Sequence, residues 1–340
     1  MQTILDAGDS KFIILQKIGN GATCTVYKGY SNEDTSHKAY AIKIFKEQFK
    51  KYFDKEILVN NDLPPKYFLS LIKCGQGYIY QENSNPNSSS IIEQKSKNCI
   101  SEKYNSKKIF YKIEEIAENG ELFNYVYELE KGFQEEISAK IFVYIVKLVK
   151  ILHENGIIHG DIKPENILVG NDFSLKLIDF GFSQKFNKKN NCIIYNTDGS
   201  DTYSSPEIRK GNISGYDGIK SDIFSLGVLL FVITVGRFPF NLSEFSDKKY
   251  RLIMTKKFEQ FWNNFDNYNL SKEFKDLINH LICYDPNQRF GIEEILEHPW
   301  IKMNVSKTEF NKDYNYCLFI DEEVVKELKK RKDFMVKKTN

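Results

Sequence analysis

The segment from His159 to Asn166, together with Asp179-Phe180-Gly181 shortly after it, constrains this chain more than any other feature. Each piece follows a short apolar run that is typical of a β-strand. The carboxylate of Asp161 is placed to accept a proton, and Asn166 and Asp179 offer the oxygen atoms that Mg²⁺ prefers. For each residue alone, an Asp or Asn that forms a loop turn is the ordinary alternative. All of them at this spacing favour a chemical site.

The composition describes a folded chain with no extreme of charge. Of its 340 residues, 41% are hydrophobic, which excludes wholesale disorder. Lys and Arg number 48 against 46 Asp and Glu, for a formal net charge of +2. This balance gives no sign of a field that attracts nucleic acid or membranes, so we expect neither as a partner.

Cysteine spacing and the chain start predict a cytoplasmic or nuclear location. The 6 cysteines are scattered and include no C-x-x-C pair, which favours reduced thiols over disulfides or zinc ligands. The first residues show no signal peptide, and Gln2 stands where myristoylation needs glycine. The longest apolar run, Ile223 to Val235, predicts a buried core helix rather than a membrane span. We expect a monomer.

The first hundred residues contain two features that could contact phosphate. Strand-like runs flank Gly19-Asn20-Gly21 and predict a hairpin, and a lone glycine turn is more often a plain hairpin than a phosphate cradle. Ala39 to Phe45 predicts another strand, on which Ala41 and Lys43 share a face. Without further context, Lys43 would be a lysine on a solvated edge strand.

Together these motifs resemble a eukaryotic-type Ser/Thr protein kinase, from about Ile18 to Trp300. Asp285-Pro286-Asn287-Gln288-Arg289-Phe290 and His298-Pro299-Trp300-Ile301 look most like the calcium/calmodulin-dependent kinase-like group. The resemblance implies a two-lobed α+β fold with a small β-rich N-lobe at 1–117 and a larger helical C-lobe at 118–302. A low-complexity insert is expected at about 82–108, and a tail with a short helix at 303–340.

The resemblance also implies ATP and Mg²⁺ in the cleft, with assigned roles for catalytic residues. Asp161 would orient and deprotonate the substrate hydroxyl, and Lys163 would neutralise the transferring phosphoryl group. Lys43 would hold the α/β-phosphates and pair with Glu56, for which Glu47 is the competitor. Asn166 and Asp179 would bind Mg²⁺. Further nucleotide-binding positions would be Ile18, Gly19, Asn20, Gly21, Val26, Ala41, Glu115, Ala117 and Glu121.

Several positions depart from the family pattern. Cys24 replaces the usual third glycine, which suggests looser or altered ATP binding. Lys112, Glu114 and Asn60 fall where relatives bury aliphatic side chains. Either these three polar groups pair with one another in the interior, or a one-residue alignment slip leaves them on the surface.

Gly160 is a further departure, because the family often has an arginine there that binds a phosphate on the activation segment. We therefore hypothesise activity without phosphorylation of the segment from Asp179 to Glu207, with Thr197 as a candidate autophosphorylation site. Ser200, at the position of the usual threonine, and Lys163 both fit Ser/Thr specificity.

By resemblance, three acidic residues and the tail also receive roles. Glu207 should form a buried pair with Arg289, and Asp222 should brace the catalytic loop or simply cap its helix. Glu121 and Glu165 suggest a basic residue upstream of the target hydroxyl. The tail helix is either an inhibitory or partner-binding element or a helix docked on the large lobe.

The expected reaction is transfer of the ATP γ-phosphate to Ser or Thr hydroxyls of protein substrates. The alternative is a catalytically weak pseudokinase that acts as a nucleotide-binding scaffold, which Cys24, Asn60, Gly160 and Glu114 motivate. The Ser-Pro-Glu segment that ends at Glu207 disfavours a small-molecule kinase.

Overall fold

A computed structural model describes residues 2–64, 67–82, 106–186, 192–195, 199–211, 214–305 and 320–339. Its chain divides into two compact units, Met1–Ala117 and Glu118–Asn340. The predicted insert at about 82–108 falls almost wholly outside the described residues, as does Thr197.

The first unit is built on a closed barrel of antiparallel strands in the order β1-β2-β3-β4-β6-β5. Its strands are β1 (Gln2–Asp6), β2 (Lys11–Asn20), β3 (Cys24–Ser31), β4 (Ala39–Phe45), β5 (Leu71–Glu82) and β6 (Lys107–Glu115). Strand β1, which the sequence pattern did not predict, pairs with both β2 and β5 and so closes the ring. Its residues Ile4 and Leu5 are buried, and this burial is what holds so short a strand in place.

One helix of the first unit carries a predicted catalytic residue. Helix α1 (Lys50–Asn60) buries Phe53, Glu56 and Val59. The Phe53 ring packs on Phe45 of β4 and Phe110 of β6, with ring centroids 5.7 Å and 5.2 Å away. This aromatic cluster fixes the rotation of α1, and the rotation turns Glu56 towards the sheet.

The second unit is mainly helical. Its helices are α2 (Leu122–Tyr127), α3 (Glu135–Glu154), α4 (Pro206–Arg209), α5 (Gly218–Val235), α6 (Lys248–Met254), α7 (Phe258–Trp262), α8 (Lys272–Leu281), α9 (Ile292–Glu297), α10 (Pro299–Asn304) and α11 (Glu322–Thr339). Helix α3 has the apolar face that its sequence predicts, and this face is buried. Among the described helices, α5 alone is long and apolar enough to cross a membrane, and 89% of that window is buried inside the protein.

Short strand pairs place the loops of the second unit. They are β7 (Ile157–Ile158) with β10 (Gln184–Lys185), β8 (Ile167–Val169) with β9 (Leu175–Leu177), and β11 (Ile193–Ile194) with β12 (Tyr216–Asp217). Because Ile167 pairs with Leu177, the residue before β8 lies opposite the residue after β9. Asn166 therefore lies opposite Ile178, and Asp179 follows one residue later.

The tail helix α11 packs within the second unit and is longer than the short helix predicted for it. Val324 and Leu328 are fully buried, and Arg331 is only 6% exposed. The Arg331 guanidinium donates to the carbonyl oxygens of Tyr125, Lys131 and Gly132, each at 2.8 Å. This packing supports the interpretation of the tail as a docked helix.

Candidate active site

The Asp161 carboxylate is buried and hydrogen-bonded on both oxygens. The Ser200 N–H donates to Oδ1 at 3.0 Å, and Nδ2 of Asn166 donates to Oδ2 at 2.9 Å. The Lys163 ammonium lies 2.8 Å from Oδ2 and also donates to the Ser200 hydroxyl at 2.5 Å. Burial alone would raise the pKa of Asp161, but Lys163 and Ser200 outweigh it and hold the pKa below its ordinary 3.8. Asp161 is therefore ionised at neutral pH.

His159 positions the backbone around Asp161. Its Nδ1 accepts from the Asp161 N–H at 3.2 Å, and its Nε2 lies 3.1 Å from the Ile178 carbonyl oxygen. Since Nδ1 accepts and Nε2 must donate, the ring is neutral. Burial lowers the pKa of His159 despite nearby carboxylates, in agreement with this assignment.

Asp222, at the start of α5, braces the same loop. Its Oδ2 accepts from the His159 N–H and its Oδ1 from the Gly160 N–H, both at 3.0 Å. His153 of α3 places Nε2 2.8 Å from Oδ2 of Asp222. These contacts confirm the prediction that Asp222 braces the catalytic loop. His153 was missed, although a histidine on the buried face of α3 was the available signal.

Asn166 and Asp179 lie on neighbouring segments beside this loop. The Ile178 N–H donates to the Asn166 carbonyl oxygen at 2.9 Å, which ties the two segments together. Nδ2 of Asn166 donates to both the main chain and the side chain of Asp161, so Oδ1 is the atom left to bind a cation. Among the residues that the structure describes, no group of three or more His, Cys, Asp or Glu side chains is placed to hold a metal.

Lys43 and Glu56, both in the first unit, form a buried ion pair. Nζ of Lys43 lies 3.0 Å from Oε2 of Glu56, which is fully buried. Glu47 is exposed, precedes α1 in a 3₁₀ turn, and has Lys108 as its neighbour at 3.9 Å. Glu56 rather than Glu47 is therefore the partner of Lys43.

Lys112 and Glu114 of β6 are buried as well. Lys112 Nζ lies 2.6 Å from Oε1 of Glu114 and 3.0 Å from Oε2 of Glu56. The prediction of mutual pairing is confirmed for these two residues, and the alternative of an alignment slip is wrong for them. Asn60 does not join them, since its buried Oδ1 has no hydrogen-bond partner within the described residues.

The glycine turn joins β2 to β3. A Cβ at Gly19 or Gly21 would meet only ordinary contacts, at 3.5 Å and 3.6 Å, so the hairpin itself does not require glycine there. The Gly21 N–H donates to the Cys24 carbonyl at 2.9 Å and closes the turn. Asn20 accepts from the Thr25 hydroxyl at 3.3 Å.

The other predicted nucleotide-binding residues lie in both units. Ile18 is 44% exposed, Val26 pairs with Lys43 across β3 and β4, and Ala41 is buried beside Glu114 in register. The Glu115 N–H donates to the Ser70 carbonyl at 3.1 Å, and Ala117 ends the first unit. Glu121 precedes α2 in the second unit and forms an isolated bridge with Leu168.

Two partly buried carboxylates of the second unit, those of Glu121 and Glu165, have raised pKa values. Burial raises the pKa of Glu121, and the nearby Glu165 carboxylate raises it further. Burial likewise raises the pKa of Glu165, whose Oε2 has no hydrogen-bond partner in the described part of the chain. The two carboxylates thus form a partly buried negative site, and Lys163 is a nearby cation that acts to lower both pKa values.

Glu207 and Arg289 form the expected buried pair. NH1 and NH2 of Arg289 donate to the two Glu207 oxygens at 2.6 Å and 2.7 Å. Nε of Arg289 also donates to the Cys283 carbonyl at 2.7 Å. This bidentate pair anchors α4 to the loop after α8.

Comparison with known proteins assigns the family. The protein kinase domain family matches residues 12–301, and the chain belongs to that family. It is 37% identical over 193 residues to the human SNF-related serine/threonine-protein kinase, which covers 56% of this chain and 24% of the relative. It is also 36% identical over 200 residues to CBL-interacting protein kinase 5 of Oryza sativa subsp. japonica, which covers 58% of this chain and 41% of the relative.

A third relative is serine/threonine-protein kinase kin-29 of Caenorhabditis elegans, at 35% identity over 205 residues, 59% of this chain and 23% of the relative. The chain thus spans less than half the length of these relatives. The resemblance to Ser/Thr kinases of the calcium/calmodulin-dependent kinase-like group is confirmed, and so is the fold class.

Proposed function

We propose that this chain transfers the γ-phosphate of ATP to Ser or Thr hydroxyls of protein substrates. The observation that carries the proposal is the Asp161 carboxylate, buried and held by Lys163, Ser200 and Asn166. Its lowered pKa makes it a weak base, so we expect it to act mainly by orienting the hydroxyl for in-line attack. Lys163 stands beside it as the cation for the transferring phosphoryl group.

The donor set of the second unit fits Mg²⁺. Asn166 and Asp179 offer two oxygen ligands, and Mg²⁺ usually keeps several waters and binds substrate phosphates with only one or two carboxylates. The metal would neutralise negative charge on the triphosphate. Lys43, held by Glu56, would contact the phosphates, and the glycine turn would cover them.

The carboxylates of Glu121 and Glu165 support a preference for a basic residue upstream of the target hydroxyl. Burial raises both pKa values, so ionisation of each carboxylate is disfavoured where it lies. An arginine or lysine of a substrate would stabilise the ionised forms.

We further propose that the chain acts as a cytoplasmic monomer.

Gly160 supports activity without phosphorylation of the segment from Asp179 to Glu207. Glycine has no side chain that could bind a phosphate, and the loop is already braced at the Gly160 N–H by Asp222. Lys163 donates to the Ser200 hydroxyl and the Ser200 N–H donates to Asp161, so residues of the chain itself supply the contacts that position Ser200.

Phosphotransfer to a generic basic protein with Mg-ATP tests the proposal. The native chain should incorporate phosphate, and Asp161→Asn should lose about 10²–10⁴-fold of that rate because the orienting carboxylate is gone. Treatment with a phosphatase that is then removed should leave the native rate unchanged. Equal signals from native chain and variant would favour the scaffold, and loss of activity after phosphatase would refute independence from phosphorylation.

A further inference from the structure

Four ionisable side chains of the first unit form one continuous buried cluster: Lys43, Glu56, Lys112 and Glu114. Their exposed fractions are 6%, 0%, 1% and 3%. The chain of contacts runs from Lys43 to Glu56 at 3.0 Å, from Glu56 to Lys112 at 3.0 Å, and from Lys112 to Glu114 at 2.6 Å. The formal charges of the four sum to zero.

The cluster joins three elements of the barrel unit. Lys43 lies on β4, Lys112 and Glu114 lie on β6, and Glu56 lies on α1. Both ammonium groups donate to the same Glu56 oxygen, Oε2. Helix α1 is therefore tied to the sheet by two separate cations, one on each of two adjacent strands.

Burial makes these ties strong. Removing one partner from a buried ion pair leaves an uncompensated charge, which is far more costly than breaking a surface pair. Burial would raise the pKa of Glu56, yet Lys43 and Lys112 together hold it below the ordinary 4.5. Glu56 is therefore ionised at neutral pH and needs at least one cation at all times.

We propose that Lys112 is a second positioning residue for Glu56, which holds α1 against the sheet even when the Lys43 ammonium turns to nucleotide phosphates. Glu114 neutralises Lys112, so the tie adds no net charge to the interior. The Lys43–Glu56 pair is then preassembled, and displacement of α1 is not a means of switching this chain. This consequence for activity rests on the proposed function, whereas the tie itself does not.

Lys112 acts through Glu56 and not on the substrate. Its side chain is 1% exposed, and its ion-pair contacts are with the two carboxylates. A role of this kind predicts a change in how readily the competent state forms, not in the chemical step.

Amide hydrogen exchange of the nucleotide-free full chain tests the tie directly. Lys43→Met leaves the cluster with one net negative charge and should lower the protection of the α1 amides, but Lys112 still holds Glu56 and limits that loss. Lys112→Met/Glu114→Leu removes one charge of each sign and keeps the Lys43–Glu56 pair. In that background, Lys43→Met leaves Glu56 without a cation. It should therefore lower α1 protection by a factor at least about tenfold larger than the factor it produces in the native chain.

Lys51→Met is the matched control. Lys51 also lies on α1 but its side chain is exposed, so its loss should leave α1 protection unchanged. If Lys43→Met alone removes α1 protection, or removes it by the same factor in both backgrounds, the proposal is overturned. The first of these results needs only one variant, so it decides the matter even if the double variant does not fold.

Kinetics separate a positioning role from simple destabilisation. In Lys112→Met/Glu114→Leu, a smaller fraction of molecules holds α1 in place, so KM for ATP should rise severalfold while kcat at saturation stays near native. Lower kcat with unchanged KM would contradict the proposal. A chain that failed to transfer phosphate would refute the proposed function. Hydrogen exchange needs no turnover, so it would still test the tie between Lys112 and Glu56.

Discussion

At the scale of single residues, Gly160 has two effects. It replaces the arginine that the family often uses to bind a phosphate, and it relieves backbone strain. Its φ is +78°, a conformation that costs an L-residue about 1–2 kcal/mol. A Cβ there would lie 3.0 Å from the Phe182 carbonyl oxygen. The sequence pointed to the missing arginine, but only the backbone shows that glycine also removes strain from the loop beside Asp161.

The carboxylates of Glu121 and Glu165 lead to a pH prediction. Both pKa values are raised above the ordinary 4.5, so both groups protonate at a higher pH than in the unfolded chain. Their ionisation opposes folding at neutral pH, and this cost disappears as the pH falls through the raised values. An upstream arginine loses its partners over the same range.

We therefore expect the ratio of kcat/KM for a peptide with an upstream arginine to that for its neutral analogue to fall by about fivefold as the pH is lowered from neutrality towards those pKa values. Steady-state kinetics with the two peptides measures this ratio. Glu121→Gln/Glu165→Gln should flatten the profile. A ratio that stays constant with pH in the native chain would argue against these carboxylates as the basic subsite.

At the scale of elements, predictability followed the strength of the local pattern. Strand β4 has the predicted bounds Ala39–Phe45, and helix α3 buries the apolar face of a regular helical pattern, so both follow from local periodicity. Strand β1 was missed because five residues carry too little periodicity, and it forms only through pairing with β2 and β5. The tie between Lys112 and Glu56 joins distant elements, and no local signal encodes such a contact.

The Arg289–Glu207 pair gives a prediction at this scale. Glu207→Gln should lower the free energy of unfolding by about 3–5 kcal/mol, because Arg289 stays buried without its counter-ion. Arg289→Met should cost at least as much, since it also removes donors to the Cys283, Lys220 and Tyr284 carbonyls. Urea unfolding of the two single variants and the double variant measures this.

The double variant should cost clearly less than the sum of the single variants, because the two residues share one interaction. Lys302→Met is a suitable control, since its pair with Glu297 is 56% exposed on both sides and should contribute less than about 1 kcal/mol. Strict additivity would mean that the pair is not energetically coupled.

At the scale of the whole chain, the tail is an integral part of the second unit. Arg331 caps the carbonyls at the end of the α2 region, and its guanidinium lies 3.7 Å from the centroid of the Phe133 ring. Lys338 donates to the Glu128 carbonyl at 3.0 Å. The kinase family match ends at residue 301, so the tail lies outside it. The tail nevertheless stabilises a loop that lies inside the match.

Arg331→Met should lower the stability of the second unit by at least about 2 kcal/mol, because three buried carbonyls lose a charged donor. Its neighbour Lys330 has a side chain that is 78% exposed, so Lys330→Met should have almost no effect. Limited proteolysis of the loop at 128–133, beside urea unfolding, measures the difference. Equal resistance of both variants would show that the tail does not hold this loop.

The closed ring of the first unit also limits how other molecules can recognise it. Each of its six strands is hydrogen-bonded on both sides, since β1 seals the seam between β2 and β5. A ligand that binds by adding an extended peptide to a sheet requires an unpaired rim. The six described strands leave no such rim, so a protein that docks on this part of the ring must recognise side chains rather than form backbone hydrogen bonds.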